Sequence, residues 1–194
     1  SFIRDKLGSA FRVVPTSAWL EGALRQSGLN NVTNHIMLGV NHEVYKPFVG
    51  MKDEHDQEIT KERLKQSLNF PPDSFLILMC QMNQDVRKCF DLQFEAIQLF
   101  RNANPDVNVR VWCHCLPRAP DGWMLPELAR EYGIDYQKGD ITFADTYTIA
   151  CKGLQGYNED YMSKLMNASD CLLHGTSGDS PGMPVLEAMS CGTP

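Results

Sequence analysis

The sequence lacks long apolar runs and has no excess of basic residues. No apolar stretch approaches the roughly 20 residues of a membrane-spanning helix, which argues against a transmembrane segment. The formal net charge of −6 over 194 residues argues against a nucleic-acid partner, because phosphate backbones are bound by clustered Lys and Arg. An anionic ligand would have to be held by a few local cations. No charged-then-apolar leader follows Ser1, so we expect any targeting segment to lie outside this sequence.

The sequence also lacks the spacing of a metal site. Its seven cysteines are an odd number and lie mostly in apolar segments, which favours reduced core thiols and a cytoplasmic location. The densest group of candidate ligands is Cys113-His114-Cys115. Adjacent strand residues point to alternate faces, and no second ligand pair follows at zinc-site spacing. We therefore predict no metal site. We also expect no cofactor.

Short apolar runs alternate with amphipathic stretches, which predicts an α/β fold: a Rossmann-like parallel sheet with flanking helices. In the helix over 91–100, Leu92, Ala96, Leu99 and Phe100 have helical spacing. The predicted strands cover 11–15, 32–38, 75–80, 107–115, 141–143 and 171–174. The predicted helices cover 18–26, 58–67, 91–100 and 126–132, one begins after a cap at Asn158, and one follows a Gly-rich loop near the end.

The rhythm of strands and helices breaks between residues 39 and 58. This stretch carries Gly39, Pro47, Gly50 and the charged residues 52–56, a composition typical of a connection rather than a packed element. We place a domain boundary there, with one domain ending at residue 40 and a second covering 41–194.

The Gly-rich segment 175–187 leaves a predicted buried strand and enters a helix, with Pro184 in the first turn. In an open parallel sheet, ligands bind beyond the carboxyl ends of the strands, where a helix N-terminus offers N–H groups to a phosphate. Asp179 and Glu187 can accept hydrogen bonds from sugar hydroxyls. The alternative is a plain strand-to-helix turn with two solvated carboxylates.

Four separated stretches resemble, in order, motifs of the large retaining glycosyltransferase family 4, which has the GT-B fold. Residues 14–20 are similar to the last strand and helix of the family's first domain, and residues 38–47 to its interdomain connection. Residues 157–170 and 179–194 are similar to its signature, in which two glutamates are followed by Ala-Met-Ala-Cys-Gly-Thr-Pro. The resemblance implies that the chain covers the end of the acceptor domain and most of the donor domain.

The resemblance also implies roles for particular residues. Asp179 matches the glutamate that contacts the transferred sugar, and Glu187 the one that holds the ribose diol. Lys88 matches a lysine that holds the diphosphate, usually with an arginine. Where the family has Gly-Arg, this chain has Cys80-Gln81-Met82, so Arg87 is the candidate for the arginine's place. Without the resemblance, an exposed charged turn is the alternative for Arg87 and Lys88. The residues expected to line the donor are Ser180, Pro181, Gly182 and Met183.

The function implied is metal-independent transfer of a sugar from a nucleotide diphosphate sugar to an acceptor hydroxyl, with retention of configuration. The expected partners are the donor and an acceptor that is a glycan, a lipid or a protein, with peripheral membrane contact through an acceptor domain outside this sequence. We expect the chain by itself not to transfer sugar, because it lacks most of the acceptor site. The alternatives are a non-catalytic nucleotide-sugar or glycan-binding module and, more distantly, a sugar-nucleotide epimerase.

Overall fold

The computed structural model describes residues 6–145, 157–178 and 182–194. Within these ranges the chain forms two compact units. The smaller comprises residues 6–40 with 182 and 183, and the larger comprises the described residues from 41 to 178 and from 184 to 194. None of the helices in the described ranges is long and apolar enough to cross a membrane.

The smaller unit is built around helix α1 (Ala18–Gln26), which has the predicted bounds. The Ser17 hydroxyl accepts a hydrogen bond from the N–H of Leu20 and caps the helix, and Gly28 (φ 87°) lets the chain turn away after it. The strands predicted over 11–15 and 32–38 are wrong: the two segments form one isolated parallel bridge, between Val13 and Val32. Strands need neighbours along their length, and beyond that bridge these segments share the hydrogen bond from the N–H of Ile36 to the carbonyl of Pro15.

The larger unit contains a four-stranded, wholly parallel sheet, as predicted. Its strands are β1 (Phe75–Cys80), β2 (Val109–His114), β3 (Ile141–Phe143) and β4 (Cys171–Leu172), in the order β3-β2-β1-β4. β1 lies between β2 and β4 and is buried on both faces, which explains its unbroken apolar sequence. The sheet brings the loops that follow β1 and β4 to the same carboxyl edge.

Helices flank this sheet where the sequence predicts them, with small differences at the ends. Helix α2 begins at Lys61 instead of Glu58, because the Thr60 side chain caps it. The chain leaves α4 through Gly133 (φ 72°), and the Asn158 side chain caps α5 as predicted. The helices are α2 (Lys61–Ser67), α3 (Phe90–Ala103), α4 (Leu125–Glu131), α5 (Glu159–Ala168) and α6 (Met183–Ser190), and a short 3-10 helix covers Val86–Lys88.

The helical spacing noted in the sequence of α3 marks the core-facing side only in part. Phe100 packs against the main core, whereas Leu92 and Leu99 are exposed, and the buried side chains are Phe90, Phe94 and Ile97. These three residues also have helical spacing, and two of them are phenylalanines, which bury a large apolar area. The buried face also contains a polar residue, Gln93, which is 3% exposed.

Part of the predicted connection is packed. Tyr45 is buried, and its carbonyl accepts a hydrogen bond from the Ser190 hydroxyl of α6. The Asn167 side chain of α5 donates to the carbonyl of Lys46 and accepts from the N–H of Phe48. Because its backbone groups find partners on two helices, this part of the segment joins the larger unit instead of forming a free linker.

Candidate functional site

The loops that follow β1 and β4 meet at the carboxyl edge of the sheet. The carbonyl of Arg87, in the first loop, accepts hydrogen bonds from the N–H of Ser177 (2.9 Å) and from the Thr176 hydroxyl (3.3 Å), in the second. In return, Nη1 of Arg87 donates to the carbonyl of Gly178 (2.6 Å). The two segments that the sequence singles out are therefore hydrogen-bonded to each other over residues 87 and 176–178.

Lys88 is buried, at 6% exposure, and Arg87 is half-buried. The alternative of an exposed charged turn is therefore wrong for Lys88. The backbone carbonyl of Lys88 accepts hydrogen bonds from the side-chain amides of Gln81 (3.3 Å) and Gln93 (2.7 Å). Gln81, which stands where the resemblance leads one to expect Gly-Arg, is itself buried and supports the loop through its amide.

The β1–α3 loop is strained at both ends of its 3-10 helix. Asp85 (φ 43°) and Cys89 (φ 46°) have positive φ, a conformation that costs non-glycine residues energy and that concentrates at functional sites. The Asp85 carboxylate accepts the N–H of Arg87 at 2.8 Å. Asn83 fixes the start of the loop, since its amide donates to the carbonyls of Leu116 and Trp123, beyond β2. A loop held at so many points presents Arg87 and Lys88 in a defined geometry.

Glu187 lies one turn into α6 and is partly buried. Burial and the neighbouring charge of Glu159, at the start of α5, raise the pKa of the Glu187 carboxyl. Burial raises the pKa of the Cys80 thiol to about 12, and the charge of Glu187 adds to that effect, so the carboxylate lies near the carboxyl end of β1. The charges of Glu187 and Glu159 also help burial to raise the pKa of the buried Tyr45 hydroxyl. A partly buried carboxylate beside another one is stabilised by O–H donors, which a ribose diol would supply.

The remaining expected donor-binding residues lie between β4 and α6. Gly182 directly precedes α6, and Met183 is its first residue. Asp179, Ser180 and Pro181 lie outside the described residues, so their roles stay predictions. The part of the site that the structure brings together therefore comprises Arg87, Lys88 and the backbone of residues 175–178, with Glu187 near the end of β1.

The Cys113-His114-Cys115 segment divides between the two faces of β2. Cys113 and Cys115 are buried together, with their sulfur atoms 3.5 Å apart, and their interaction raises the pKa of the Cys113 thiol. His114 contacts Tyr157 and accepts a hydrogen bond from the Trp112 indole; burial lowers its pKa to about 4. Within the described ranges, no group of three or more His, Cys, Asp or Glu side chains is placed to hold a metal ion.

Solved structures of glycosyltransferases resemble this chain over most of its length. Sucrose-phosphate synthase from Thermosynechococcus elongatus has a TM-score of 0.68 and 20% identity, over 98% of this chain and 41% of its own. A glycosyltransferase from Rickettsia africae has a TM-score of 0.68 and 14% identity, over 100% of this chain and 46% of its own. HepE from Anabaena, solved with UDP, has a TM-score of 0.64 and 20% identity, over 95% of this chain and 44% of its own.

These likenesses show the fold, which is that of GT-B glycosyltransferase domains. The chain spans less than half the length of each of the three proteins. No protein-family model matches the sequence, and no curated protein matches it significantly. The assignment of a function therefore depends on the site and on the sequence motifs.

The structure adds residues that sequence reasoning did not find. Gln93 binds backbone carbonyls of both site loops, Asn83 ties the start of the β1–α3 loop to backbone carbonyls beyond β2, and Glu159 adds a second carboxylate near Glu187. Gln93 lies 82 residues from Gly175, one of its hydrogen-bond partners. A contact over such a distance has no local sequence pattern, so only the fold reveals it. Glu159 lies in the acidic first turn of α5, where the helix dipole alone accounts for negative charge, so its sequence position does not point to a site.

Proposed function

We propose that this chain contains the donor-binding part of a glycosyltransferase, which transfers a sugar from a nucleotide diphosphate sugar to an acceptor hydroxyl with retention of configuration and without a metal. The observation that carries the proposal is the meeting of the β1–α3 and β4–α6 loops at the carboxyl edge of the sheet, with a buried Lys88 and a half-buried Arg87 beside the backbone of residues 176–178. Cations placed there would balance the charge of a leaving nucleoside diphosphate.

Each residue has a distinct role in this proposal. Lys88 and Arg87 hold the diphosphate, and Glu187 accepts hydrogen bonds from the ribose hydroxyls. Asp179 contacts the transferred sugar, and the backbone of residues 180–183 lines the donor. The glycosyltransferase fold supports these assignments, as does the fact that HepE was solved with UDP and with UDP and glucose.

A non-catalytic nucleotide-sugar-binding module is the second candidate. The observation that favours it is Gln81, a neutral side chain whose amide donates to the carbonyl of Lys88 at the place where a second cation is expected. With less positive charge at the diphosphate, the site would stabilise the leaving group less. Binding without turnover would then be the result.

Calorimetric titration with UDP, GDP and ADP, and with the glucose conjugate of each, tests the proposal. We expect one base to be preferred and its sugar conjugate to bind as well. The proposal fails if none of the six ligands binds. The 1H NMR signal of the anomeric proton, followed in a protein that contains both domains, separates the two candidates: a product with the donor's configuration supports retaining transfer, and binding without product supports the module.

A further inference from the structure

Gln93 is a buried polar residue in the apolar face of α3, and its amide binds the backbone of both site loops. Nε2 of Gln93 donates to the carbonyl of Lys88 at 2.7 Å and to the carbonyl of Gly175 at 3.1 Å, and it lies 3.4 Å from the carbonyl of Cys89. One side chain thus bonds to the loop that follows β1 and to the loop that follows β4. An amide NH2 has two protons, which matches the two shorter contacts.

Gly175 leaves the space in which the Gln93 side chain lies. A Cβ atom added to Gly175 would lie 2.8 Å from Cγ of Gln93, closer than Cβ atoms in folded proteins approach, and it would make a tight contact of 3.1 Å with Cδ. The φ angle of Gly175 is not in the left-handed region, so glycine is required here by space and not by backbone conformation. Gln93 and Gly175 are therefore a matched pair.

The matched pair acts on the backbone that carries Arg87 and Lys88. Gln93 holds the carbonyl of Lys88, and Ser177, two residues after Gly175, donates its N–H to the carbonyl of Arg87. These bonds fix two consecutive peptide groups in a segment that ends at Cys89, whose positive φ has to be maintained by its surroundings. Without them, the backbone that carries the side chains of Arg87 and Lys88 would be held at fewer points.

We propose that Gln93 is a positioning residue for diphosphate binding and that Gly175 is its obligatory partner; this inference rests on the proposed function. At 3% exposure, Gln93 does not itself reach the ligand. It acts by holding the β1–α3 loop against the β4–α6 loop, so that Arg87 and Lys88 are oriented before the donor arrives. Such preorganisation reduces the ordering that binding would otherwise require.

The test uses UDP, or GDP or ADP if the chain binds one of these in its place, and compares it with the matching nucleoside, which lacks the diphosphate, in calorimetric titrations of the chain and its variants. Gln93→Met keeps a side chain of similar length but removes the N–H donors. We expect it to weaken UDP binding by about 10- to 100-fold, because a misplacement of about 1 Å can cost up to about 100-fold where geometry is demanding, and to leave uridine binding unchanged. Ser169→Ala is the control, since Ser169 is fully buried and bonds the carbonyl of Leu165 away from the site. It should alter thermal stability without changing the ratio of UDP to uridine affinity.

If Gln93→Met does not fold, two other variants test the same inference. Gly175→Ala should weaken UDP binding through the clash with Gln93, and the double variant Gly175→Ala with Gln93→Ala should recover part of the stability that the clash removes, but not the UDP affinity. The inference is overturned if the chain binds UDP and either Gln93→Met or the double variant binds it equally well. If the chain itself binds no nucleoside diphosphate, the proposed function fails and this inference fails with it.

Discussion

The charge of Glu159 adds to the effect of burial in raising the pKa of Glu187. The two carboxylates come from different helices: Glu159 begins α5, and Glu187 lies one turn into α6. Such proximity is unfavourable for the charged form of Glu187 in the free protein, because burial and the charge of Glu159 both disfavour it. Binding sites often accept a cost of this kind when the ligand removes it.

Glu187→Gln is expected to stabilise the free protein at neutral pH. The folded-state pKa of Glu187 lies above its unfolded value, so the native state binds more protons in the window between the two values. Stability then falls as pH rises through that window. Gln carries no charge at any pH, so the variant avoids this loss of stability. Urea unfolding at pH 7 should show a larger free energy of unfolding for the variant than for the parent. The difference should disappear when the pH falls below the unfolded pKa of about 4.3.

Glu62→Gln should change the stability of the protein in the opposite direction to Glu187→Gln. Its own backbone N–H and the Thr60 hydroxyl bond the Glu62 carboxylate and lower its pKa. The Glu62 carboxylate contributes stability above its unfolded pKa, and this contribution is lost as pH falls through its folded pKa. The Gln variant should therefore be less stable than the parent at pH 7. Equal effects of the two substitutions at neutral pH would contradict the assignment of Glu187.

Lys65, which is buried, and Asp170, which is partly buried, form an ion pair between α2 and the start of β4. Nζ of Lys65 lies 2.7 Å from the carboxylate and also donates to the carbonyl of Ser74, and the N–H of Leu76 donates to Asp170. Burial by itself would raise the pKa of Asp170, but the hydrogen bonds from Lys65 and Leu76, with the charges of Lys65 and Lys61, hold it below its ordinary value. The ionised Asp170 therefore contributes stability above its unfolded pKa, and this stability is lost as pH falls through its folded pKa.

Asp170→Asn should destabilise the protein by about 3 kcal/mol at pH 7, because it leaves the buried ammonium of Lys65 without a full counter-charge. The difference should shrink at acid pH, as the pH falls through the lowered folded-state pKa of Asp170 and the parent also loses the carboxylate charge. The exposed pair of Lys52 and Asp56 gives the control: Asp56→Asn should cost no more than about 0.5 kcal/mol. Urea unfolding at both pH values measures the effect, and similar losses for the two variants at pH 7 would show that burial of the pair is unimportant.

The sequence predicts the sheet well because β1 and β2 are apolar runs bounded by turn residues and each is followed by a helix. Caps such as Asn158 and turns such as Gly133 have local causes, so they too are visible in sequence. The face of α3 was not predictable in the same way. Leu92 and Leu99 fit the helical period as well as Phe90 and Phe94 do, and the position of the sheet decides between them.

The sequence motif predicts the residues of the candidate site, but it does not predict the residues that hold the site loops in place. Lys88, Glu187 and the loop before α6 lie in stretches with a recognisable order of residues. Gln93 looks like an ordinary polar residue in a helix, and Gly175 looks like one of several loop glycines. Their fit depends on the approach of α3 to the β4–α6 loop, which is a property of packing and not of residue spacing.

Cys89→Gly is expected to stabilise the protein by about 0.5 to 1 kcal/mol. Cys89 has φ 46° and ψ 44°, the left-handed region, which costs a non-glycine residue about 1 to 2 kcal/mol, and part of the gain is offset by the greater freedom of glycine in the unfolded chain. Asn69→Gly is the control, because Asn69 (φ 63°) tolerates this region better. Urea unfolding should show a smaller gain at position 69, and an equal gain would mean that Cys89 is not strained.

The proposed roles of the two motif carboxylates separate in a binding experiment. Glu187→Ala should weaken UDP and UDP-sugar alike by about 1 to 3 kcal/mol, the range for losing hydrogen bonds to a charged acceptor, because the ribose is common to both ligands. Asp179→Ala should leave UDP binding almost unchanged and weaken only the sugar conjugate, since its partner exists only when the sugar is present. Calorimetric titration of both ligands against both variants gives the four affinities.

Lys88→Ala, measured alongside the Glu187 and Asp179 variants, tests whether Lys88 holds the diphosphate. It should weaken every ligand that carries a diphosphate and spare the nucleoside, because its charge is assigned to the phosphates alone. Arg118→Ala is a matched loss of positive charge at an exposed ion pair with Glu127, and it should leave all affinities unchanged. If UDP bound equally well to the Lys88, Glu187 and Arg118 variants, the β4–α6 segment would be a structural turn with solvated carboxylates, and the donor site would have to be sought elsewhere in the protein.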